Sequence, residues 1–193
     1  MRMVHRVCPV CEKPAPSVVS FPANFDLSKL DAQGFASRKF PEHMHLELHT
    51  CQNCDVLYAD PAIDPNDLVQ AYTEATYESS QEADDASRTY QKYLYPHIGR
   101  LKNRERALDV GCGNGSFLEM LQELGFRDVK GVEPSTAPIA AASPGVRPHI
   151  VHAPYSDKLF SPQSFDLVSC FMTLEHVSDP GPLLRDFHRI LRS

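Results

Sequence analysis

The segment that most restricts the fold is an apolar run followed by three closely spaced glycines. It reads Leu108-Asp109-Val110-Gly111-Cys112-Gly113-Asn114-Gly115-Ser116. The residues before the glycines predict a buried strand, and the apolar spacing after them predicts a helix that ends at Gly125. Glycines in such a turn permit positive φ and let a ligand approach the backbone, and the first N–H groups of the helix attract anions. The segment therefore predicts a strand–turn–helix unit that binds a small ligand.

The spacing of the glycines excludes two common nucleotide-binding motifs. The dinucleotide fingerprint GxGxxG requires glycine at position 116, where this chain has serine. The sequence also lacks the Gly-Lys-Ser/Thr ending of a phosphate-binding P-loop. A carboxylate, Glu133, ends the next predicted strand 18 residues after Gly115. A carboxylate at this place can accept hydrogen bonds from both hydroxyls of a ribose.

Strands and helices alternate through the second half of the chain. We predict strands at 107–110, 129–132, 149–152 and 165–171, and Ser178-Asp179-Pro180 predicts a capped helix start. This alternation predicts an α/β fold with a Rossmann-like parallel sheet and crossover helices. Upstream, we predict a short helix near 68–72, an acidic stretch at 74–87 that is either mobile or a poorly packed helix, and a helix over about 82–104 kinked at Pro96. The predicted units are 1–62, 63–105 and 106–193.

Four of the six cysteines form two CxxC pairs in the first unit, which we expect to be small and β-rich. The pairs are Cys8/Cys11 and Cys51/Cys54, with 39 residues between them. Four thiolates satisfy a tetrahedral Zn²⁺ and leave no open position, so we predict a structural zinc site. Iron in place of zinc, or four free thiols, is the alternative. We interpret His43, His45 and His49 as one exposed face of a predicted strand, although a histidine can replace a cysteine ligand.

The net charge of −6 gives the chain no electrostatic reason to seek nucleic acid or an anionic membrane. The first sixty residues hold six Lys/Arg against seven Asp/Glu, which makes a poor surface for phosphates. No apolar run reaches the length of a membrane span, and the N-terminus has no apolar signal core. We therefore expect a cytoplasmic protein with a small-molecule partner, no membrane association and little affinity for nucleic acid.

At the glycine turn and the strands after it, the chain resembles the class I S-adenosylmethionine (SAM) dependent methyltransferases. Residues 108–115 look like the first motif of that family, 132–135 like the second, and 165–168 with 174–180 like its fourth-strand region. The resemblance implies that SAM is the cofactor. It implies contacts to the methionine part from Asp109, Gly111, Cys112, Gly113, Asn114 and Gly115. Further implied contacts are from Glu133 to the ribose, from Pro134, and from Phe171 and Met172 near the sulfonium.

The segment 46–61 is similar to the zinc-binding front end of a methyltransferase subgroup that includes sugar C-methyltransferases. Two features depart from the family pattern. The stretch 152–155 lacks the acidic residue that often contacts adenine, and the chain stops after four predicted strands where the family has seven. The resemblance thus predicts an incomplete, truncated fold with an open edge at the fourth strand. Such an edge favours self-association, and we expect poor activity of this piece alone.

His176 follows the fourth predicted strand, where the resemblance places the acceptor. Imidazole titrates near neutral pH and suits proton removal, so we predict His176 as general base with Glu175 orienting it. The alternative is that both residues shape the loop before the next helix. Tyr72 and Tyr77 are candidates for a lid, with half-buried packing as the simpler interpretation. Cys112 and Cys170 are interpreted as inert core thiols.

Three functions remain open from the sequence. The first is a methyltransferase acting on a small molecule, including carbon methylation of a nucleotide-linked sugar. The second is an RNA methyltransferase with a zinc ribbon. The third is a non-catalytic module that binds zinc and SAM.

Overall fold

The computed structural model describes residues 1–13, 16–24, 44–74 and 80–193. In the first part of the chain the strands are β1 (Met3–Val4), β2 (Ser17–Phe21), β3 (Leu48–Cys51), β4 (Leu57–Ala59) and β5 (Ala62–Ile63), followed by the helices α1 (Pro65–Thr73) and α2 (Ser80–Ile98). The second part contains β6 (Arg106–Val110), α3 (Ser116–Glu123), β7 (Asp128–Glu133), α4 (Thr136–Ala141), β8 (Ile150–His152), β9 (Leu167–Ser169) and α5 (Pro180–Ile190).

The last four strands form a parallel sheet in the order β8-β7-β6-β9, which confirms the predicted α/β class and parallel sheet. Consecutive residues of β6 are buried on opposite faces, because a parallel sheet is covered on both sides. Ala107 belongs to a cluster with residues of α2 and α3, and Leu108 to a cluster with residues of α5. The carboxyl ends of β6, β7 and β9 meet at one edge, where Asp109 pairs with Gly131 and Ser169.

The residues just before β9 are bridged by the segment after α5. Leu191 forms a parallel bridge with Phe165, and the Arg192 N–H donates to the carbonyl of Phe165 at 2.8 Å. Among the described residues, β9 itself is the edge strand of the sheet. Association of two chains through this edge stays a prediction.

The N-terminal part contains two small antiparallel sheets, β2-β3-β4 and β1-β5. The predicted strand around 44–49 begins only at Leu48, and β2 was not predicted. Val18 and Val19 are adjacent and both about half exposed, so the pattern of β2 lacks the alternation of a half-buried strand. His43 and Tyr77 lie outside the described residues, so the predictions on them are not addressed.

The helices differ from the sequence prediction in four places. Residues 80–87, predicted to be mobile or a poorly packed helix, are the first half of α2 and are packed, since Asp84 accepts a 2.6 Å hydrogen bond from Ser116 Oγ and Ser87 is buried. The helix ends at Ile98 rather than near 104. The helix α4 was not predicted. Asp179 is the residue before α5, but its side chain accepts no capping hydrogen bond.

No helix within the described ranges has the length and apolar character needed to cross a bilayer.

Candidate cofactor and metal sites

A cleft of about 1250 Å³ opens at the carboxyl edge of the parallel sheet. Its walls come from α1, α2, the glycine turn, the ends of β7 and β9, and the first turns of α5. Most of the predicted site residues line it: Asp109, Gly111, Cys112, Gly113, Asn114, Glu133, Pro134, Phe171, Met172 and His176. Gly115 and Glu175 do not line it.

The glycine turn folds back over the end of β7. Gly111, Gly113 and Gly115 have φ of 75°, 54° and 78°, a region that L side chains rarely adopt. A side chain at position 111 would overlap Thr173, whereas nothing lies within 4 Å of a side chain built at Gly113. Gly113 therefore leaves open space for a ligand. Gly115 directly precedes α3, and a side chain at this position would overlap Val146. Its role is therefore to let the turn pack closely.

The Glu133 carboxylate is held at the junction of the turn and β7. Its Oε1 accepts from the Ser135 N–H at 2.8 Å, and its Oε2 accepts from the Gly113 N–H at 3.0 Å. Each carboxylate oxygen has a second lone pair that remains for a ligand hydroxyl. The resemblance to SAM-dependent methyltransferases implies a contact between Glu133 and a ribose, and the orientation of the carboxylate at the cleft wall fits that role.

Asp109 is fully buried at the floor of the cleft and accepts a hydrogen bond from Ser169 Oγ at 2.7 Å. Burial raises the pKa of Asp109 to about 7, the Ser169 hydrogen bond opposes this rise, and the nearby Glu133 charge adds to it. A carboxyl that titrates near neutrality can become the anionic partner of a cationic ligand. The resemblance placed Asp109 beside the positively charged methionine part of SAM, and its burial fits such a ligand.

Asp109→Asn is expected to change how stability depends on pH. The folded protein binds a proton at Asp109 between about pH 4 and 7 that the unfolded chain has lost, so wild-type stability falls as the pH rises through this window. A rise of the pKa from 3.8 to about 7 corresponds to about 4 kcal/mol at full ionisation. Urea unfolding from pH 4 to 8 should therefore show that the free energy of unfolding of the variant increases relative to that of the wild type as the pH rises. Asp85→Asn, on the exposed side of α2, is the control, and parallel profiles of Asp109→Asn and wild type would contradict the assignment.

An aromatic cluster borders the cleft next to the end of β9. The ring of Tyr90 stacks on Phe171 with centroids 4.0 Å apart, and Phe117 meets both rings edge to face. Burial raises the pKa of Tyr90, with further contributions from Asp109 and Glu175. Met172 is largely exposed and has a positive φ of 49°. The sequence does not indicate this position of Tyr90, because no local pattern shows that α2 reaches the glycine turn.

His176 pairs with Tyr72 rather than with Glu175. Tyr72 Oη and His176 Nδ1 are 2.6 Å apart, and their ring centroids are 5.1 Å apart. Burial lowers the pKa of His176, against an opposing contribution from Glu175, so the ring is neutral at pH 7. Burial also raises the pKa of Tyr72 to about 12, and the Glu175 charge adds to this rise, which keeps the phenol protonated. Orientation of His176 by Glu175 stays a prediction, and Tyr72 is the partner that the sequence analysis did not identify.

Among the described residues, the two remaining cysteines belong to no group of side chains that could hold a metal ion. Cys112 lies beneath Gly131, and burial raises the pKa of its thiol well above the ordinary value. Burial raises the pKa of Cys170 to about 12. Both thiols are therefore protonated and poorly nucleophilic, in agreement with their interpretation as core residues.

The four paired cysteines come together in the N-terminal part. All four Sγ atoms lie within 4.8 Å of one another, with Cys8–Cys54 at 3.6 Å and Cys11–Cys51 at 3.8 Å. A tetrahedral ion with metal–sulfur bonds of about 2.3 Å requires sulfurs about 3.8 Å apart. The donor set and its spacing therefore fit Zn²⁺.

Both CxxC pairs form the same kind of turn. In each pair, the residue that follows the second cysteine donates a backbone hydrogen bond to the carbonyl of the first cysteine. The Glu12 N–H donates to Cys8 O at 3.0 Å, and the Asp55 N–H donates to Cys51 O at 2.9 Å. Glu12 and Asp55 have positive φ of 54° and 59°. The turns hold the thiols of each pair on one side, which is what two CxxC pairs need to share one ion.

Two thiols of the cluster have pKa values shifted in opposite directions. A backbone hydrogen bond near Lys13 lowers the pKa of Cys11 to about 6. A backbone hydrogen bond near Val56 lowers the pKa of Cys54, but burial and the other three thiols outweigh it and raise the value to about 12. Four thiolates this close repel one another, and a divalent cation is the usual compensation.

His45 and His49 do not contribute ligands to this cluster. His45 Nδ1 donates to the carbonyl of Leu46 at 2.8 Å, and His49 bonds to Ser17 and Glu47. The side chain of His49 is only 13% exposed, so the interpretation of these histidines as an exposed strand face is wrong for His49.

A sequence profile described as a methyltransferase domain matches residues 77–193, which is more than half of the chain. The chain belongs to the methyltransferase domain family. Membership supports SAM as the methyl donor, and the cleft residues described above fit it: a bare backbone at Gly113, a carboxylate at the end of β7 and a buried carboxyl below the turn.

Curated relatives that match include ubiquinone biosynthesis O-methyltransferases. That of Pseudomonas aeruginosa strain UCBPP-PA14 is 32% identical over 96 residues, and that of Pseudomonas syringae pv. tomato is 34% identical over 94 residues. Each match covers 46% of this chain and 40% of the relative. The chain thus spans about two-fifths of the length of the curated relatives it matches.

Solved structures with a similar arrangement include methyltransferases of low identity. A SAM-dependent methyltransferase of Aquifex aeolicus has a TM-score of 0.44 and 18% identity, covering 68% of this chain and 69% of that one. A phosphoethanolamine N-methyltransferase of Haemonchus contortus has a TM-score of 0.46 and 21% identity, covering 70% and 35%. The family assignment rests on the sequence match, and the fold rests on the sheet order described above.

Proposed function

We propose that this protein transfers the methyl group of SAM to a small molecule, with His176 as the general base. The observation that carries the proposal is the placement of His176 on the same cleft as the glycine turn and Glu133. SAM supplies an electrophilic methyl group on a sulfonium. The chain's contribution is to align the acceptor with that methyl and to accept the acceptor's proton.

The Tyr72–His176 pair supports proton acceptance at a defined atom. If Nδ1–H donates to Tyr72 Oη, the neutral ring presents Nε2 as the basic nitrogen. The low pKa of His176 keeps this nitrogen unprotonated at neutral pH. With SAM bound, Nε2 would accept the proton of the acceptor O–H or C–H group, and the electron pair left on the acceptor would form the new bond to the methyl carbon.

The class of acceptor is a finer proposal. Methylation of a carbon in a nucleotide-linked sugar follows from the resemblance of the N-terminal part, whereas the matching relatives are named as O-methyltransferases. Both chemistries need a base, so the Tyr72–His176 pair is compatible with either. Incubation with labelled SAM and a matched set of catechols and keto-deoxysugar nucleotides tests the two classes, and methyl transfer to neither set would leave the function as SAM binding.

Binding of the cofactor is the first experiment on the proposal. Calorimetric titration should give one site per chain for SAM and S-adenosylhomocysteine, and no heat with NAD, which the glycine spacing excludes. A protein that binds neither SAM nor S-adenosylhomocysteine would overturn the proposal. Zinc in a structural role, a cytoplasmic location and a small-molecule partner remain parts of the proposal.

His176→Asn is expected to lower kcat by about 10²–10⁴-fold with little change in cofactor affinity, because a general base acts mainly in the transition state. Tyr72→Phe should lower kcat by about tenfold through loss of ring orientation. Because burial lowers the pKa of His176, the wild-type rate should stay constant through neutral pH and fall only on the acid side of the ordinary imidazole pKa. His188→Asn, on the exposed side of α5, is the control, and a pH profile of His176→Asn that matches the wild type would rule out the base.

A further inference from the structure

The turn formed by Cys8 and Cys11 contacts the helix that walls one side of the cleft. Glu12 follows Cys11 directly, and its Oε1 accepts from Arg185 of α5 at 2.9 Å. The same oxygen lies over Gly181 in the first turn of α5, where any larger side chain would overlap it. The conformation of the cysteine turn therefore decides where this carboxylate meets α5.

The first turn of α5 benefits from a carboxylate at this place. The N–H groups at the start of a helix favour negative charge, and the Asp179 side chain makes no capping hydrogen bond there. Pro182, Leu183 and Arg185 of the same helix line the cleft. A shift of Glu12 consequently alters the wall that faces the bound ligand.

The same N-terminal segment is attached to a second wall of the cleft. Arg2 forms an ion pair with Asp64, which precedes α1, and the Arg2 N–H donates to Asp67 Oδ2 at 2.6 Å. Strands β1 and β5 pair in register beside this contact. Since α1 carries Tyr72, residues 1–12 connect the cysteine cluster to both α1 and α5.

We propose that residues 1–12 act as a metal-dependent clamp, with Glu12 as the positioning residue that transmits zinc occupancy to the cofactor cleft. The inference rests on the proposed function for its ligand. An exposed ion pair contributes little by itself, and the Glu12–Arg185 pair has side chains that are 47% and 65% exposed. The effect therefore depends on the metal holding the turn, so that the carboxylate approaches α5 in one orientation.

The test compares the 193-residue chain in its zinc-loaded form and after treatment with a chelator. For the wild type, we expect zinc removal to weaken S-adenosylhomocysteine binding by about five- to tenfold and to speed amide hydrogen exchange in the first turns of α5. Glu12→Gln removes the negative charge. Gly181→Ala keeps the charge but displaces the Glu12 carboxylate by steric overlap. Both variants should bind about threefold more weakly than the wild type when loaded with zinc. Zinc removal should then weaken binding by a smaller factor than in the wild type, because only the contact of residues 1–12 with α1 is left to lose.

The control is Glu105→Gln, which breaks the exposed Glu105–Arg127 pair away from the cleft and should behave as the wild type. The clamp is wrong if zinc removal weakens binding by the same factor in Glu12→Gln as in the wild type, or if it leaves α5 exchange unchanged. If S-adenosylhomocysteine binds to neither the wild type nor any variant, with or without zinc, the proposed function fails. The effect of zinc removal on amide hydrogen exchange in α5 then tests the clamp by itself.

Discussion

Glu133→Ala should abolish measurable binding of S-adenosylhomocysteine, with a loss of at least about a hundredfold. Hydrogen bonds to a charged group contribute about 1.5–3 kcal/mol each, and the carboxylate offers two to a ribose. The substitution also frees the N–H groups of Gly113 and Ser135, which the carboxylate now fixes. Calorimetric titration of the zinc-loaded protein measures the effect.

Glu123→Ala is the matched control, because Glu123 is a carboxylate on the exposed end of α3. It should bind as the wild type does. Thermal unfolding should show both variants folded, so that loss of binding in Glu133→Ala reports the site. Equal binding by wild type and Glu133→Ala would mean that the ribose contact lies elsewhere.

Cys51→Ser should reduce bound zinc from one ion per chain to near zero and unfold the N-terminal sheets. Cys51 is fully buried in the small cluster with Cys8 and Tyr58, so the metal and the packing stabilise the same unit. Structural zinc contributes about 10–16 kcal/mol of apparent binding free energy, far more than this small core supplies. Metal analysis by mass spectrometry and the near-ultraviolet spectrum of the cobalt-substituted protein measure the loss.

Cys170→Ser is the control for this prediction, since Cys170 is a half-buried thiol outside the cluster. It should keep one zinc ion per chain. Full zinc content in Cys51→Ser would show that the other three cysteines suffice or that the metal binds elsewhere. Iron recovered in place of zinc would correct the identity of the metal and leave the ligand set in place.

Local sequence determined the parts of the fold in which neighbouring residues carry the signal. The glycine turn, the apolar strands β6, β7 and β9, and the apolar face of α5 all appear where the pattern predicts them, because backbone freedom and burial are encoded over a few residues. The four cysteines could be predicted as one metal site because each CxxC spacing is visible within a single short turn.

Tertiary structure decided what distant segments do to one another. The polar start of α2 is helical because Ser116 and the glycine turn hold it, and no local pattern records that contact. Tyr72 meets His176 across 104 residues of chain, so the sequence offered only the nearby Glu175 as a partner. The contact of Glu12 with α5 depends in the same way on how the cysteine unit sits against the sheet. Periodicity reports which side of an element is buried, and only the folded chain reports which residues it is buried against.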